Sequence, residues 1–516
     1  MTAASMQFTA LKNGKKIALL VLCIVLFVIA VDDTVLNLAL PDIAGSLNSS
    51  ATQLLWIVDV YLLVVATLQI TFGAVGDRYG RKRLLQAGLI VFGLGSAGAA
   101  LATSTDLLIL FRIVMGLGAA IMMPSTLSIL TDIFREPKER AKAIASWSSV
   151  FSIGAGFGPV IGGYLLSGLG WPVVFYLNMP IVVVGLIGSH YFLPESVGHS
   201  EFKLNGLSIL LSTGGLVLLV YAIISAGEVG WLTTEVLVAF AATAAVLSGF
   251  VLWERKAKTN MFPLEFFKNR SFSGATIALT LSSFALMGTM FFFSQYFQSV
   301  QGYSPLEAGL CMVPLNVFVI IFTMYSVKVD DKIGSKLTVS IGLIAIGLGM
   351  LLFGATAAIT TPYLVSVVVQ FFIAVGLGFV MSPGTNVIMN SIPESRAGVG
   401  SAMNDTTRQI GGALGIAVLG SLVNSVYVAK IGASQTISAL PVQVGLHVQN
   451  SLQAALISAA ELPAATAAQV VFEAKEAFLS GLCESVLIAS VILFAAAAIN
   501  MVVLPKRTIR HDAVQR

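Results

Sequence analysis

Along the chain, stretches of about 20 apolar residues alternate with short polar connectors, the length a helix needs to cross a bilayer. Such runs fall at 17–40, 54–75, 84–103, 107–131, 141–166 and 171–193. Two follow at 204–226 and 233–253, and six more at 272–298, 306–327, 337–358, 362–385, 402–426 and 483–504. The pattern predicts an all-α polytopic membrane protein of fourteen spans, an even number that puts both termini on one side. The segment 427–480, between the last two runs, is longer than the other connectors, and its periodicity predicts one or two amphipathic helices.

Basic residues orient the spans. Alternate connectors carry Arg78, Arg81, Lys82 and Arg83; Arg135, Lys138, Arg140 and Lys142; Lys203; Arg255, Lys256, Lys258, Lys268 and Arg270; Lys328, Lys332 and Lys336; and Arg396. The six short connectors between them hold no Lys or Arg. Positively charged loops stay inside, so these connectors and both termini are expected to be cytoplasmic, in the cell membrane. Composition agrees: 57% of residues are apolar and 10% charged, against roughly 25% charged in an ordinary soluble domain. The net charge of +4 therefore reflects membrane topology and not nucleic-acid binding. Cys23, Cys311 and Cys483 are too far apart to pair or to hold a metal, and read as free thiols. Lys12, Lys15 and Lys16 give the first run a look of a signal peptide, but its acids and the spans that follow mark a retained helix.

A short repeat suggests the architecture. "DRYGRK" (77–82) after span 2 is matched by "DKIGSK" (331–336) after span 10. Repeats of this kind build transporters that hold substrate between two bundles near the membrane midplane. The expected layout is a six-helix bundle in 1–195, an inserted helix pair in 196–257, and a second six-helix bundle in 258–516 that carries the 427–480 segment.

The chemistry lies in charges placed where lipid penalises them. Asp32, Asp33, Asp59, Arg112, Asp405 and Arg408 fall well inside spans, where a charged side chain costs about 2.5–3.5 kcal/mol even on the mildest scale. Four acids against two bases leave surplus negative charge, which suits a cationic, partly apolar guest and also takes protons. Asp32 and Asp33 point about 100° apart, and Asp33 shares a face with Asn37. On span 2, Thr52, Trp56, Asp59 and Leu63 form one stripe, and an acid beside an indole attracts organic cations. Asp405, Arg408 and Gln409 share a face of span 13, where Asp405 and Arg408 could also form a purely internal pair. Gly154, Gly158 and Gly162 recur every four residues and allow a close helix approach, and Pro159 bends that helix. In the first loop, Asp77 beside several bases can form a charge latch between bundles, with Arg140 of "ERAKA" as the facing base.

Several of these motifs together resemble the major facilitator superfamily, and within it the fourteen-span drug:proton antiporters of the Qac and Emr type. "GAVGDRYGRKR" (73–83) is similar to the family's loop motif, and "RIVMGLGAA" (112–120) to its span-4 motif, with Met115 where a glutamine is usual. "GAGFGPVIGG" (154–163) resembles the antiporter motif, and "VDDTVLNLALP" (31–41) the span-1 motif. "WPVVFYLNMP" (171–180) and "RQIGGALG" (408–415) complete a resemblance that covers nearly the whole chain.

The resemblance implies a proton-coupled exporter of amphipathic organic cations such as quaternary ammonium compounds and dyes. It further implies a monomer in the bilayer, no cofactor or metal, and the proton gradient as energy source. The alternative within transport is a proton-driven exporter of one antibiotic or metabolite. A receptor or a membrane enzyme is disfavoured because no span pairs His with carboxylates, and ATP-driven pumping is excluded because no phosphate-binding glycine loop is present. The expected proton-coupling residues are Asp32, Asp33, Arg112 and Asp405. The family's acid aligns with Asp32, whereas Asp33 falls on a variable position. The expected substrate-facing residues are Asn37, Trp56, Asp59, Asn316, Asn404 and Asp405. Gating is expected from Gly73, Asp77, Arg78, Gly80, Arg81, Lys82 and Arg140, and a leak-limiting interface from Gly154, Gly158, Pro159, Gly162 and Gly163. Relatives carry a further acid in span 10, where "PLNVFVIIF" offers only Asn316. That departure argues against strong handling of dications.

Overall fold

The computed structural model describes residues 12–196, 205–256, 264–392 and 397–505, and these contain helices and no strand. Lys203, Lys258 and Arg396 lie outside them, as does the side chain of Asp77. In chain order the long helices are α1 (Lys12–Leu47), α2 (Ala51–Tyr79), α3 (Arg81–Ala100), α4 (Thr105–Ile133) and α5 (Pro137–Leu169). Next come α6 (Asn178–Phe192), entered through the short turn Val173–Tyr176, then α7 (Gly206–Val229) and α8 (Thr234–Lys256). The remainder are α9 (Arg270–Gln295), α10 (Pro305–Ile333), α11 (Ser335–Thr356), α12 (Tyr363–Asn390), α13 (Ala397–Gly432) and α14 (Ala464–Val503). Among the described residues, thirteen helices are long and apolar enough to cross a membrane. The 33-residue α5, whose apolar stretch Gly156–Leu169 is shorter than a span, stands fifth in order and fits the expected series of fourteen.

Local chemistry sets the helix ends. α2 and α10 both open with a capping box, Ser50 with Gln53 and Ser304 with Glu307, which satisfies amide groups that the first turn leaves bare. The repeated loops turn at equivalent glycines. Gly80 (φ 112°) follows "DRY" and Gly334 (φ 81°) follows "DKI", each in a conformation that a side chain would strain. We call the face that carries these two loops the basic face, and the opposite one the far face.

α1 to α6 pack among themselves, as do α9 to α14, so the fold is two six-helix bundles plus an added helix pair. The bundles meet along α2 with α13, α5 with α10, and α1 with α9. α7 and α8 pack on each other, and α7 bridges α2 and α13. Gly227 allows this approach, because a Cβ there would lie 2.6 Å from Ser421 Oγ. Asn424 and Ser425 then reach its carbonyl at 3.2 and 3.4 Å.

The segment 427–480 differs from expectation. α13 runs on to Gly432 and α14 begins at Ala464, leaving three short helices, Gln435–Ser438, Val442–Asn450 and Leu452–Ala459. The charges Glu473, Lys475 and Glu476 hide the start of α14 from a hydropathy criterion, but Ala-rich sequence there favours helix regardless. The short helices fold over the far face. Tyr427 Oη donates to Val448 O at 2.8 Å, and Lys475 Nζ donates to Val300 O at 2.8 Å.

Candidate functional site

The adjacent acids of α1 part company. Asp32 turns into its own bundle, where Arg112 Nη1 of α4 reaches Oδ2 at 2.7 Å and both side chains are essentially buried. Asn178 Nδ2, at the start of α6, donates to Asp32 Oδ1 at 3.0 Å. It also lies 3.0 Å from Ser96 Oγ, which itself donates to Phe175 O at 2.8 Å. Arg112 Nε donates to Ile57 O at 3.1 Å, and its guanidinium stacks 4.2 Å above the Tyr61 ring. The buried pair is therefore neutral overall and bonded on every side, which buried ions require.

Asp33, rotated by one residue, faces the space between the bundles. A small cavity there is lined by Asp33, Leu36 and Asn37 of α1, Val58, Tyr61 and Leu62 of α2, and Arg112. The second bundle contributes Met287 of α9 and Ile416 of α13. Asp33 Oδ1 and Asn37 Oδ1 have no hydrogen-bond partner among the described residues, and Tyr61 Oη is turned toward the Asp33 carboxylate. Unpaired polar atoms around an otherwise apolar space mark a place for a guest with hydrogen-bonding or positive character.

Two α13 residues continue this line toward the basic face. Asp405 and Arg408 lie on the stripe that carries Gly412 and Ile416, spaced by three, four and four residues. They form an ion pair at 3.7 Å, their side chains are about one third exposed (31% and 33%), and Arg408 Nε has no partner among the described residues. Asn404 is buried, with Oδ1 unpaired, and next to it Thr406 accepts from Gln69 Nε2 of α2 at 2.9 Å.

Asp59 and Trp56 stand elsewhere on α2. The cavity sees Val58, Tyr61 and Leu62, whereas Trp56 points about 200° from Val58 and Asp59 about 100° from it. Asp59 is fully buried, and neither carboxylate oxygen finds a hydrogen-bond partner among the described residues. Asn316 Nδ2 of α10 donates to Met312 O at 3.3 Å, and its Cβ would lie 3.5 Å from a side chain placed at Gly156.

α5 uses its small residues on two faces. A Cβ at Gly154 would fall 2.7 Å from Ala30 Cβ, and at Gly158 or Gly162 it would overlap Thr34 or Val35 of α1. On the second face, a Cβ at Gly163 would meet Pro305 O at 2.5 Å, and one at Gly309 of α10 would overlap Pro159 O. One face thus holds α1 and the other crosses to the second bundle. Gly158→Leu is expected to abolish transport, because it must push α1 and its acids aside. Purified variant that folds but exports at the parent rate would refute this.

On the basic face, the loop residues do more than anchor the protein to lipid. Arg81 Nη1 pairs with Asp132 at the end of α4 at 2.7 Å, and Lys82 Nζ donates to His190 O and Leu193 O at 2.7 and 2.9 Å. Glu195 accepts from Lys82 N at 3.0 Å and crowds Gly80, where a Cβ would lie 2.8 Å from Oε1. Gly73 packs toward Pro124 of α4, while Arg78 is exposed and stacks 5.5 Å above Tyr79. Arg140 is exposed; its proposed partner Asp77 has its side chain outside the described residues. Sequence reasoning missed Asp132, Glu195, Ser96, Tyr61 and Asn178. Of these, Asn178 lay inside "WPVVFYLNMP" and Tyr61 at the end of "WIVDVY" (56–61), both recognised as motifs. Among the described residues no group of three or more His, Cys, Asp or Glu could hold a metal ion.

Residues 22–416 match the Major Facilitator Superfamily. The chain is 36% identical to the multidrug efflux pump LfrA of Mycolicibacterium smegmatis, over 94% of this chain and 95% of that protein. It is 32% identical to the methyl viologen resistance protein SmvA of Salmonella typhimurium, over 90% and 93%. Among solved structures, an inward-facing, occupied bacterial homolog of the human lysosomal transporter Spinster aligns with a TM-score of 0.68. That match has 19% identity and covers 96% of this chain and 97% of the other. With two bundles meeting around a cavity, a bonded Asp32–Arg112 pair in its wall, and a family match across most of its length, the chain is a multi-pass membrane transporter and not an enzyme, and it belongs to the Major Facilitator Superfamily.

Proposed function

We propose that the protein is a proton-driven exporter of amphipathic organic cations, among them quaternary ammonium compounds and dyes. It works as a monomer in the cell membrane, with its basic face and both termini cytoplasmic. The observation that carries this reading is Asp33, an acid with an unpaired oxygen in a mostly apolar cavity, beside a second acid already neutralised by Arg112. A cation and a proton compete for that carboxylate. Arg112 lines the same cavity, so it senses which of the two Asp33 holds and passes the change to Asp32. Asp405 and Arg408, part exposed along the same line, serve the path from the cytoplasm. The names of LfrA, a multidrug efflux pump, and SmvA, a methyl viologen resistance protein, support the substrate class.

A narrower reading has support of its own. A methylenomycin A resistance protein of Streptomyces coelicolor is 32% identical over 77% of this chain, and an exporter of one antibiotic would use the same machinery. Cells expressing the protein should withstand several unrelated cationic compounds if the first reading holds, and one compound if the second does. In proteoliposomes, an imposed pH gradient should drive dye movement against its concentration. Dye movement indifferent to that gradient would reject proton coupling.

A further inference from the structure

Pro41 lies inside α1 and has no amide hydrogen, so the helical bond that would end on Asn37 O cannot form. A carbonyl left bare inside a membrane protein must find another donor or stay costly. The donor comes from the other bundle. Ser294 Oγ of α9 donates to Asn37 O at 2.5 Å. Gln298 Nε2, one turn on, donates to Leu38 O at 3.1 Å and to Ser294 Oγ at 3.0 Å. Gln298 stands in the π-helical turn Tyr296–Val300, where the extra residue per turn re-aims side chains. From the other side, Gln453 of the far-face segment donates to Gln295 Oε1 at 3.0 Å and to Ser299 Oγ at 3.2 Å, which steadies the end of α9.

We propose that the Asn37 carbonyl freed by Pro41, together with Ser294 and Gln298, is the latch that holds the transporter closed on its outer side. With the bundles together there, Ser294 satisfies the carbonyl; with them apart, water does. The proline keeps the acceptor available in both states, so the latch can break and remake without disturbing α1. No charge is involved, so latch strength is set independently of the proton and substrate chemistry at Asp33. The proposal rests on the exporter reading only for which side is outside.

The test reads conformation directly. In a chain whose Cys23, Cys311 and Cys483 are replaced, Val58→Cys places a thiol in the cavity, and an impermeant thiol reagent is applied from the outer side of vesicles. Ser294→Ala should raise the labelling rate at least about fivefold, because it orphans a buried carbonyl in the closed state alone. In a Pro41→Ala background the same change should raise it less than about twofold, since that substitution restores a backbone N–H that can hold Asn37 O in both states. Where Pro41→Ala does not fold, Ser294→Thr keeps the hydroxyl and should label like the parent, whereas Ser294→Val should label like Ser294→Ala. Equal increases in both backgrounds, equal rates for the Thr and Val variants, or no increase with Ser294→Ala would each overturn the latch. Labelling needs neither substrate nor a pH gradient, so its outcome stands apart from that of the dye experiment.

Discussion

Asp33→Asn is expected to remove most of the affinity for a permanently charged organic cation while leaving thermal stability unchanged. Close charge pairs across an interface couple by about 1.5–7 kcal/mol, and the lower end of that range already makes the loss roughly tenfold or more in Kd. The parent protein should bind the cation more tightly as pH rises, because the deprotonated acid is the form that attracts it. The Asn variant should show no such rise. Stability should hold because Asp33 lends no ion pair to the bundle, and one of its oxygens is already unpaired among the described residues. Dye binding followed by fluorescence across mildly acidic to mildly basic pH makes the measurement. A variant that kept both the affinity and its pH dependence would remove Asp33 from the proposed mechanism.

The neighbouring acid should behave in the opposite way. Asp32→Asn strands the Arg112 guanidinium, and Arg112→Met strands the Asp32 carboxylate, each in a site essentially without solvent. Breaking one side of such a buried pair costs about 3–5 kcal/mol, whereas replacing both sides is often close to neutral. Each single variant should therefore lose most of its resistance to unfolding, and the Asp32→Asn, Arg112→Met double variant should recover most of it. Asn178 Nδ2 still meets an amide oxygen at position 32, which favours recovery of fold without recovery of transport. Thermal unfolding in detergent reads the stability, and dye efflux reads the function. Losses that simply add in the double variant would show that the two side chains do not form an energetic pair.

Much of the architecture was legible because lipid imposes a severe rule. A span must be about 20 residues of largely apolar helix, so thirteen segments long enough to cross, and the place of α5 between them, follow from hydropathy. The pairing of the loops at Gly80 and Gly334 was also legible, since a turn that tight needs glycine wherever it occurs. The buried acids stood out because charge in such a setting is rare. Arg112 could be read as the partner of a carboxylate on span 1, and it meets Asp32; which of the two acids it would take was not legible, because helical periodicity gives the direction of a side chain around its own axis and says nothing of which helix stands opposite. Asp32 and Asp33 are equal in the sequence, yet one meets Arg112 and Asn178 while the other meets empty space. Trp56 and Asp59, read as one stripe of span 2, are not among the residues that line the cavity. Glu195 carried no motif, and it matters only because the end of α6 is folded back against Gly80. Pro41 lacks a backbone N–H, but it was not singled out in the sequence. That its free carbonyl is answered by Ser294, 257 residues away on the other bundle, follows from the packing of α9 on α1 and from nothing local to either helix.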